Sequence, residues 1–289
     1  MSQLSLIDFS STRRVAVDEE EFSRPPFTQV FTDMPATTTF RLALPSGETL
    51  AADLSPPSEG RTWAVFCHGF GSDRHGTKAE ELYQHLTASG AGFVRFDFRG
   101  HGESDGAPED LMLERQIEDL STVVGAVRSQ DPSARIVLIG SSLGGLTAAW
   151  FAARHPEQVQ CQVLLAPAFR AAERVLACLS AEERQAWRRD GIHRFERDGE
   201  HFALRWKVVE EARRHSFEDL IDTTSIPTWI VHGRRDETVP AELSQRFAEE
   251  AHSPRPHLDI VDDGDHGLHD HIERIFASVH AAMSAAHGG

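Results

Sequence analysis

The chain has little of several features that each mark a class of function. It has no basic excess: 29 Lys and Arg stand against 45 Asp and Glu over 289 residues, a formal charge of −16, which argues against a nucleic-acid partner. Its three cysteines, Cys67, Cys161 and Cys178, are odd in number and scattered. Without the CxxC spacing of a zinc site or redox pair they point to a reducing, cytoplasmic setting. Nowhere do 18 apolar residues run together, and the opening MSQLSLIDFSSTRRVAVDEE has no basic flank followed by an apolar run. Neither a membrane span nor a leader is therefore expected. There is also no fixed-period repeat and no low-complexity tract.

What is present suffices for a packed core. Leu, Ile, Val and Phe number 69, about 24% of the chain and above the roughly 20% below which strongly charged chains stay disordered. At this length one large domain, or one domain with an insertion, is expected rather than two equal halves.

Residues 1–36 mix charges and prolines without clear periodicity and read as an arm. From Thr37 the pattern sharpens: TTTFRLAL and TLAADL alternate around the turn Pro45-Ser46-Gly47-Glu48, an antiparallel hairpin. Apolar runs then alternate with helical periodicity. TWAVFCHGF, GFVRFDF, RIVLIG and QCQVLLA read as strands; TKAEELYQHLTASG, Pro108–Ser129 and Leu143–His155 read as helices. After a charged, aromatic stretch with a mostly helical pattern, the alternation resumes. IPTWIVHG, a helix over Ala241–Ala251, HLDIV and a final helix from about Leu268 to Ala285 complete the chain. The fold class is thus α/β: a mostly parallel eight-stranded sheet with helices on both faces. A small helical cap over residues 167–225, inserted after the sixth strand, splits a core of residues 37–166 and 226–289.

The chemistry concentrates at RIVLIGSSLGGLTAAW, where Gly140, Ser142 and Gly144 form G-x-S-x-G between a strand and a helix. A serine lifted on such a turn sits in a strained conformation, and bulk two residues to either side would clash. Ser141 fails this test because Leu143 lies two positions after it. A plain glycine-rich phosphate turn is the competing explanation, but the loop has neither G-x-G-x-x-G nor G-x-x-x-x-G-K-[ST].

A serine hydroxyl needs an imidazole to take its proton and a carboxylate to orient that imidazole. Asp236 in IVHGRRDETVP and His266 in DIVDDGDHGLHDH each follow a strand, in the chain order expected for such an elbow. His252, His257, His269 and His271 are weaker rivals for the base, and Asp222 and Asp262 for the acid. Two backbone amides are expected to meet the developing oxyanion: that of Leu143, directly after the serine, and that of Phe70 in Cys67-His68-Gly69-Phe70. His68 and His101 are read as loop-bracing residues. The Asp262–His271 cluster has no metal-ligand spacing. Phe169, Trp187, Phe195, Phe202 and Trp206 are candidates for an apolar acyl pocket.

Taken together, CHGFGSDRHGTKAEEL, RFDFRGHGESDG, IGSSLGGL, HGRRDETVP and DGDHG resemble the successive motifs of α/β-hydrolase serine enzymes, over roughly residues 37 to 285. Within that superfamily the chain is similar to a branch of acyl esterases and thioesterases that includes depalmitoylating and acyl-glucuronide-cleaving activities. The resemblance implies hydrolysis of carboxylic esters or thioesters of small to medium acyl substrates through an acyl-enzyme on Ser142. It implies a small-molecule partner, no cofactor and no metal. Carbon–carbon bond hydrolases, peptidases and perhydrolases use the same three residues, and a noncatalytic hydrolase-like scaffold is a further alternative.

Overall fold

The computed structural model describes residues 6–7, 38–58, 60–197, 200–252 and 254–287. The main sheet has nine strands: β1 (Leu6–Ile7), β2 (Thr38–Ala43), β3 (Thr49–Ser55), β4 (Thr62–Cys67), β5 (Gly92–Phe96), β6 (Arg135–Ser141), β7 (Cys161–Leu165), β10 (Thr228–Gly233) and β11 (His257–Val261). A two-stranded sheet, β8 (Ile192–Arg197) and β9 (Glu200–Arg205), stands apart. The order across the main sheet is β1-β2-β3-β5-β4-β6-β7-β10-β11. Pairing is antiparallel from β1 through the β3–β5 contact and parallel from there on. Eight strands are those expected from the sequence; the two-residue β1 adds an edge. It falls within the segment read as an arm, most of which lies outside the described residues.

The central strands are apolar because both faces are covered. Every residue of β4, β5 and β7 is buried, as a parallel sheet between two helical layers requires. On one face α1 (Thr77–Ala88) contributes Leu82 and Leu86, and α9 (Ile272–His287) contributes Ile275 and Val279. On the other, α2 (Leu113–Gln130), α3 (Leu143–Arg154) and α8 (Ala241–Glu250) place Leu120, Phe151 and Phe247 in a second core.

Between β7 and β10 the chain leaves the sheet to form α4 (Ala171–Ala177), α5 (Ala181–Asp190), the β8–β9 hairpin, α6 (Lys207–Ala212) and α7 (Phe217–Thr223). The hairpin corrects the mostly helical reading of this insertion. IHRFER and EHFALR flank the turn-favouring pair Asp198-Gly199 in sequence, and their antiparallel pairing brings Phe195 and Phe202 together as a stacked pair with centroids 5.0 Å apart. Charges at three- and four-residue spacing around them mimic a helical surface.

Two helix boundaries also differ from expectation. The helix expected over Pro108–Ser129 is a 3₁₀ turn at Pro108–Asp110 followed by α2, separated by an extended Met112. The break arises where Glu211 from α6 accepts hydrogen bonds from the Leu113 and Glu114 amides at 2.6 and 3.0 Å, capping α2 from outside. The last helix starts at Ile272 rather than near Leu268, because Leu268 adopts φ 52° and its amide donates to Asp265 Oδ1 at 2.9 Å.

Candidate active site

The turn between β6 and α3 is built by close approach. A Cβ on Gly140 would stand 2.5 Å from the Gly144 carbonyl oxygen, and one on Gly144 would collide with the Cys67 and His68 carbonyl oxygens. With both positions bare, Ser142 adopts φ 53° and ψ −114°, a conformation that costs a non-glycine residue on the order of 1–3 kcal/mol. Neighbouring backbone holds it there: its amide donates to Leu165 O at 2.8 Å, and its carbonyl accepts from Gly145, Leu146 and Ala168.

The three sequence candidates converge. His266 Nε2 lies 3.0 Å from Ser142 Oγ, and His266 Nδ1 lies 2.7 Å from Asp236 Oδ2. In the neutral ring this places N–H on Nδ1, donating to the carboxylate, with Nε2 free to accept the serine proton. Asp236 is buried at the carboxyl end of β10, and Oδ1 accepts from the Thr238 and Val239 amides at 2.8 and 2.7 Å. Burial pushes its carboxyl up, but hydrogen bonds from His232, His266 and the Val239 amide outweigh that, so the net shift is well below the usual carboxylate range.

The rivals lie elsewhere. Asp262 is exposed and pairs with Arg234 at 2.8 Å, and Asp222 is exposed 3.9 Å from His252. His269 and His271 stand on a 3₁₀ turn beyond His266, and His257 stacks on Trp229. Among the described residues no group of three or more His, Cys, Asp or Glu side chains is placed to hold a metal.

The loop after β4 abuts the serine: a Cβ on Gly69 would lie 3.2 Å from Ser142 Cβ. Leu143 opens α3, so its amide belongs to the unpaired first turn at the positive end of the helix dipole. Neither this amide nor that of Phe70 donates to another described residue. His68 braces the loop. Its ring bonds Gly69 O through Nδ1 at 2.8 Å and accepts the Phe98 amide through Nε2 at 3.0 Å. Burial, with a lesser contribution from His101, brings its pKa down to about 4, so the ring stays neutral. His101 is also buried, packs 5.8 Å from the Phe70 ring and has its pKa lowered by burial.

Three residues of this site were not singled out in the sequence. His232, at the end of β10, bonds Asp236 Oδ2 at 3.1 Å, and Ser244 on α8 lies 2.7 Å from its other ring nitrogen. Lys78 on α1 donates to Gly267 O at 2.8 Å and tethers the His266 loop. A histidine at a strand's carboxyl end, four residues before the acid, was the available signal for His232. For Lys78 and Ser244 the contacts are too distant along the chain to have left one.

An apolar cleft, partly open to solvent, lies between α2, α3 and the inserted helices. Leu143, next to the serine, lines it together with Leu111, Leu113, Leu146, Trp150 and Phe169; Ala172, Val208 and Phe217 face it from the insertion. Of the five aromatic candidates only Phe169 lines this cleft. Trp187 is buried within the insertion, its indole N–H on Leu204 O at 2.9 Å, with Trp206 and Phe195 packed on it. Phe202 reaches outward to the Phe70 ring, 5.0 Å between centroids.

A family model described as serine aminopeptidase, S33, matches residues 58–194. The match takes in Phe70 and Ser142 and ends before Asp236 and His266. The mouse (Mus musculus) palmitoyl-protein thioesterase ABHD10, mitochondrial, is 26% identical over 208 residues, 71% of this chain and 68% of its own. A monoacylglycerol lipase of Mycolicibacterium smegmatis is 30% identical over 128 residues, 44% of this chain and 45% of its own. Among solved structures, Est1E from Butyrivibrio proteoclasticus with ferulic acid bound superposes with a TM-score of 0.69 at 25% identity, covering 84% of this chain and 97% of that one.

Proposed function

We propose, from the chain's α/β-hydrolase fold and its similarity to esterases and thioesterases, that it hydrolyses carboxylic esters or thioesters through an acyl-enzyme on Ser142. The observation that carries the proposal is the pair of contacts made by one ring: His266 reaches Ser142 Oγ at 3.0 Å and Asp236 Oδ2 at 2.7 Å.

Ser142 Oγ attacks the substrate carbonyl carbon while its proton passes to His266 Nε2. The imidazolium that forms is stabilised by the Asp236 carboxylate, which remains ionised. The oxyanion accepts hydrogen bonds from the Leu143 and Phe70 amides, each worth roughly 3 to 4 kcal/mol in such a site. Collapse of the tetrahedral species expels the alcohol or thiol, which takes the proton from His266. Water then attacks the acyl-enzyme with His266 again as base and releases the acid. None of these steps calls for a cofactor.

The apolar walls of the cleft support an acyl group of small to medium length. The relatives named as a palmitoyl-protein thioesterase and a monoacylglycerol lipase support an ester or thioester rather than another carbonyl substrate. The family description as a serine aminopeptidase favours a second reading, an amide of a peptide amino terminus.

A fluorophosphonate probe tests the nucleophile: it labels the wild type and leaves Ser142→Ala unlabelled. Absence of labelling in both would instead identify a noncatalytic scaffold. Turnover of p-nitrophenyl esters and acyl thioesters, with aminoacyl p-nitroanilides unreactive, is the outcome expected of an esterase. The reverse pattern would assign the peptidase.

A further inference from the structure

Building on the roles proposed for Ser142, Asp236 and His266, we infer that His232, with its tautomer set by Ser244, is a positioning residue that orients the Asp236 carboxylate toward His266.

His232 and Ser244 are completely buried, so every polar atom of the pair must find its partner inside the protein. The ring's Nε2 faces two acceptors, Asp236 Oδ2 at 3.1 Å and Val239 O at 3.0 Å. That nitrogen must therefore carry the hydrogen and donate. In the neutral ring Nδ1 is then an acceptor, and Ser244 Oγ at 2.7 Å supplies the donor. The tautomer follows from the partners on both sides.

The consequence falls on the carboxylate. Oδ2 receives the His232 and His266 N–H groups, while Oδ1 receives the Thr238 and Val239 amides. With four donors converging, the carboxylate cannot rotate away from His266, and its charge is spread enough to leave the proton on the imidazole. The two backbone amides fix only Oδ1. His232 is the side chain that fixes the oxygen His266 uses. A histidine needed for packing alone would be satisfied by Val239 O and would leave that oxygen to His266. Lys78 lies in the field of Asp236 together with those of Asp265 and Glu81.

The test compares His232→Leu, His232→Gln and Ser244→Ala in the full chain, with thermal unfolding recorded beside kinetics on a p-nitrophenyl ester. His232→Leu is expected to lower kcat by roughly 10- to 100-fold, the span typical of removing a supporting partner from a functional ligand. KM should stay within about twofold, because the lost bond acts on proton transfer rather than on substrate binding. The acid limb of kcat/KM moves to higher pH, since a carboxylate with one donor fewer holds the imidazolium more strongly. His232→Gln, whose amide N–H can reach the same oxygen, restores most of the rate. Ser244→Ala shifts the acid limb in the same direction by a smaller amount. The downfield proton resonance of the His266–Asp236 bond is displaced in the Leu variant and recovers in the Gln variant. Unchanged kcat, pH profile and resonance in a folded His232→Leu would overturn the inference. Should that variant fail to fold, profiles of His232→Gln and Ser244→Ala that show neither rescue nor shift would overturn it equally. Wild-type protein that neither turns over esters nor labels with fluorophosphonate would strike the assignment of Ser142 itself, an outcome distinct from both.

Discussion

Glu211 of the inserted segment caps the first turn of the helix that begins at Leu113: its carboxylate lies 2.6 Å from the Leu113 amide and is 2% exposed. The bond joins residues 98 positions apart and ties the insertion to the core beside the cleft. Glu211→Ala leaves the Leu113 and Glu114 amides unpaired, and is expected to destabilise the protein by about 1 to 3 kcal/mol. Urea unfolding monitored by tryptophan fluorescence measures this. KM for a long-chain ester should rise in the same variant while kcat changes little, because the cleft wall loosens and the Ser142–His266 contact does not.

The reach of the sequence ended where side chains from distant segments meet. The parallel strands were legible because each is an apolar run sandwiched between helices, and the serine turn because only glycine fits at positions 140 and 144. Asp236 and His266 could be placed by their position after strands β10 and β11, where parallel sheets collect functional groups. The cap hairpin was not legible: Arg and Glu around Phe195 and Phe202 repeat at intervals that suit a helix as well as a strand. Nor was the break before Leu113, since its cause is a carboxylate from α6. Ser244 and Lys78 lie in helices whose local pattern is accounted for by ordinary packing.

Asp236→Asn should leave the fold nearly intact and lower kcat by about 10⁴, the scale set by a wrong imidazole tautomer. The amide nitrogen must face either the His232 and His266 N–H groups or the Thr238 and Val239 amides, so one set of donors meets a donor. The relief available is for His266 to move its hydrogen to Nε2, where it can no longer accept the Ser142 proton. Steady-state kinetics beside circular dichroism checks this; a variant with unchanged kcat would show that another carboxylate orients the base.

His68 makes stability depend on pH in a defined window. Its pKa is about 4 in the fold and 6.5 ordinarily, so between those values the unfolded chain takes up a proton that the folded site refuses. Stability attributable to His68 is therefore present above about 6.5 and is lost as pH falls to about 4, by up to roughly 3 kcal/mol. His101 shifts in the same direction, whereas Asp119, raised to about 6 chiefly by burial, acts in the opposite sense. The difference between wild type and His68→Gln isolates the effect, because Gln can serve both the Gly69 carbonyl and the Phe98 amide without titrating. Denaturant unfolding at pH 7 and pH 4.5 should show a smaller acid loss in the variant; equal losses would refute this account of His68.

The cleft predicts how acyl length is selected. Ala172, half-buried on α4, faces the space lined by Leu143, Leu146 and Phe169. Ala172→Trp inserts a ring into that space from the partly exposed side, so thermal stability should change little, within about 0.5 kcal/mol. Each methylene accommodated in an apolar pocket is worth about 1 to 3 kcal/mol in discrimination. The ratio of kcat/KM for p-nitrophenyl octanoate over acetate should therefore fall by about tenfold or more, with the acetate rate nearly unchanged. An unchanged octanoate-to-acetate ratio would show that the acyl chain does not occupy the space beside Ala172.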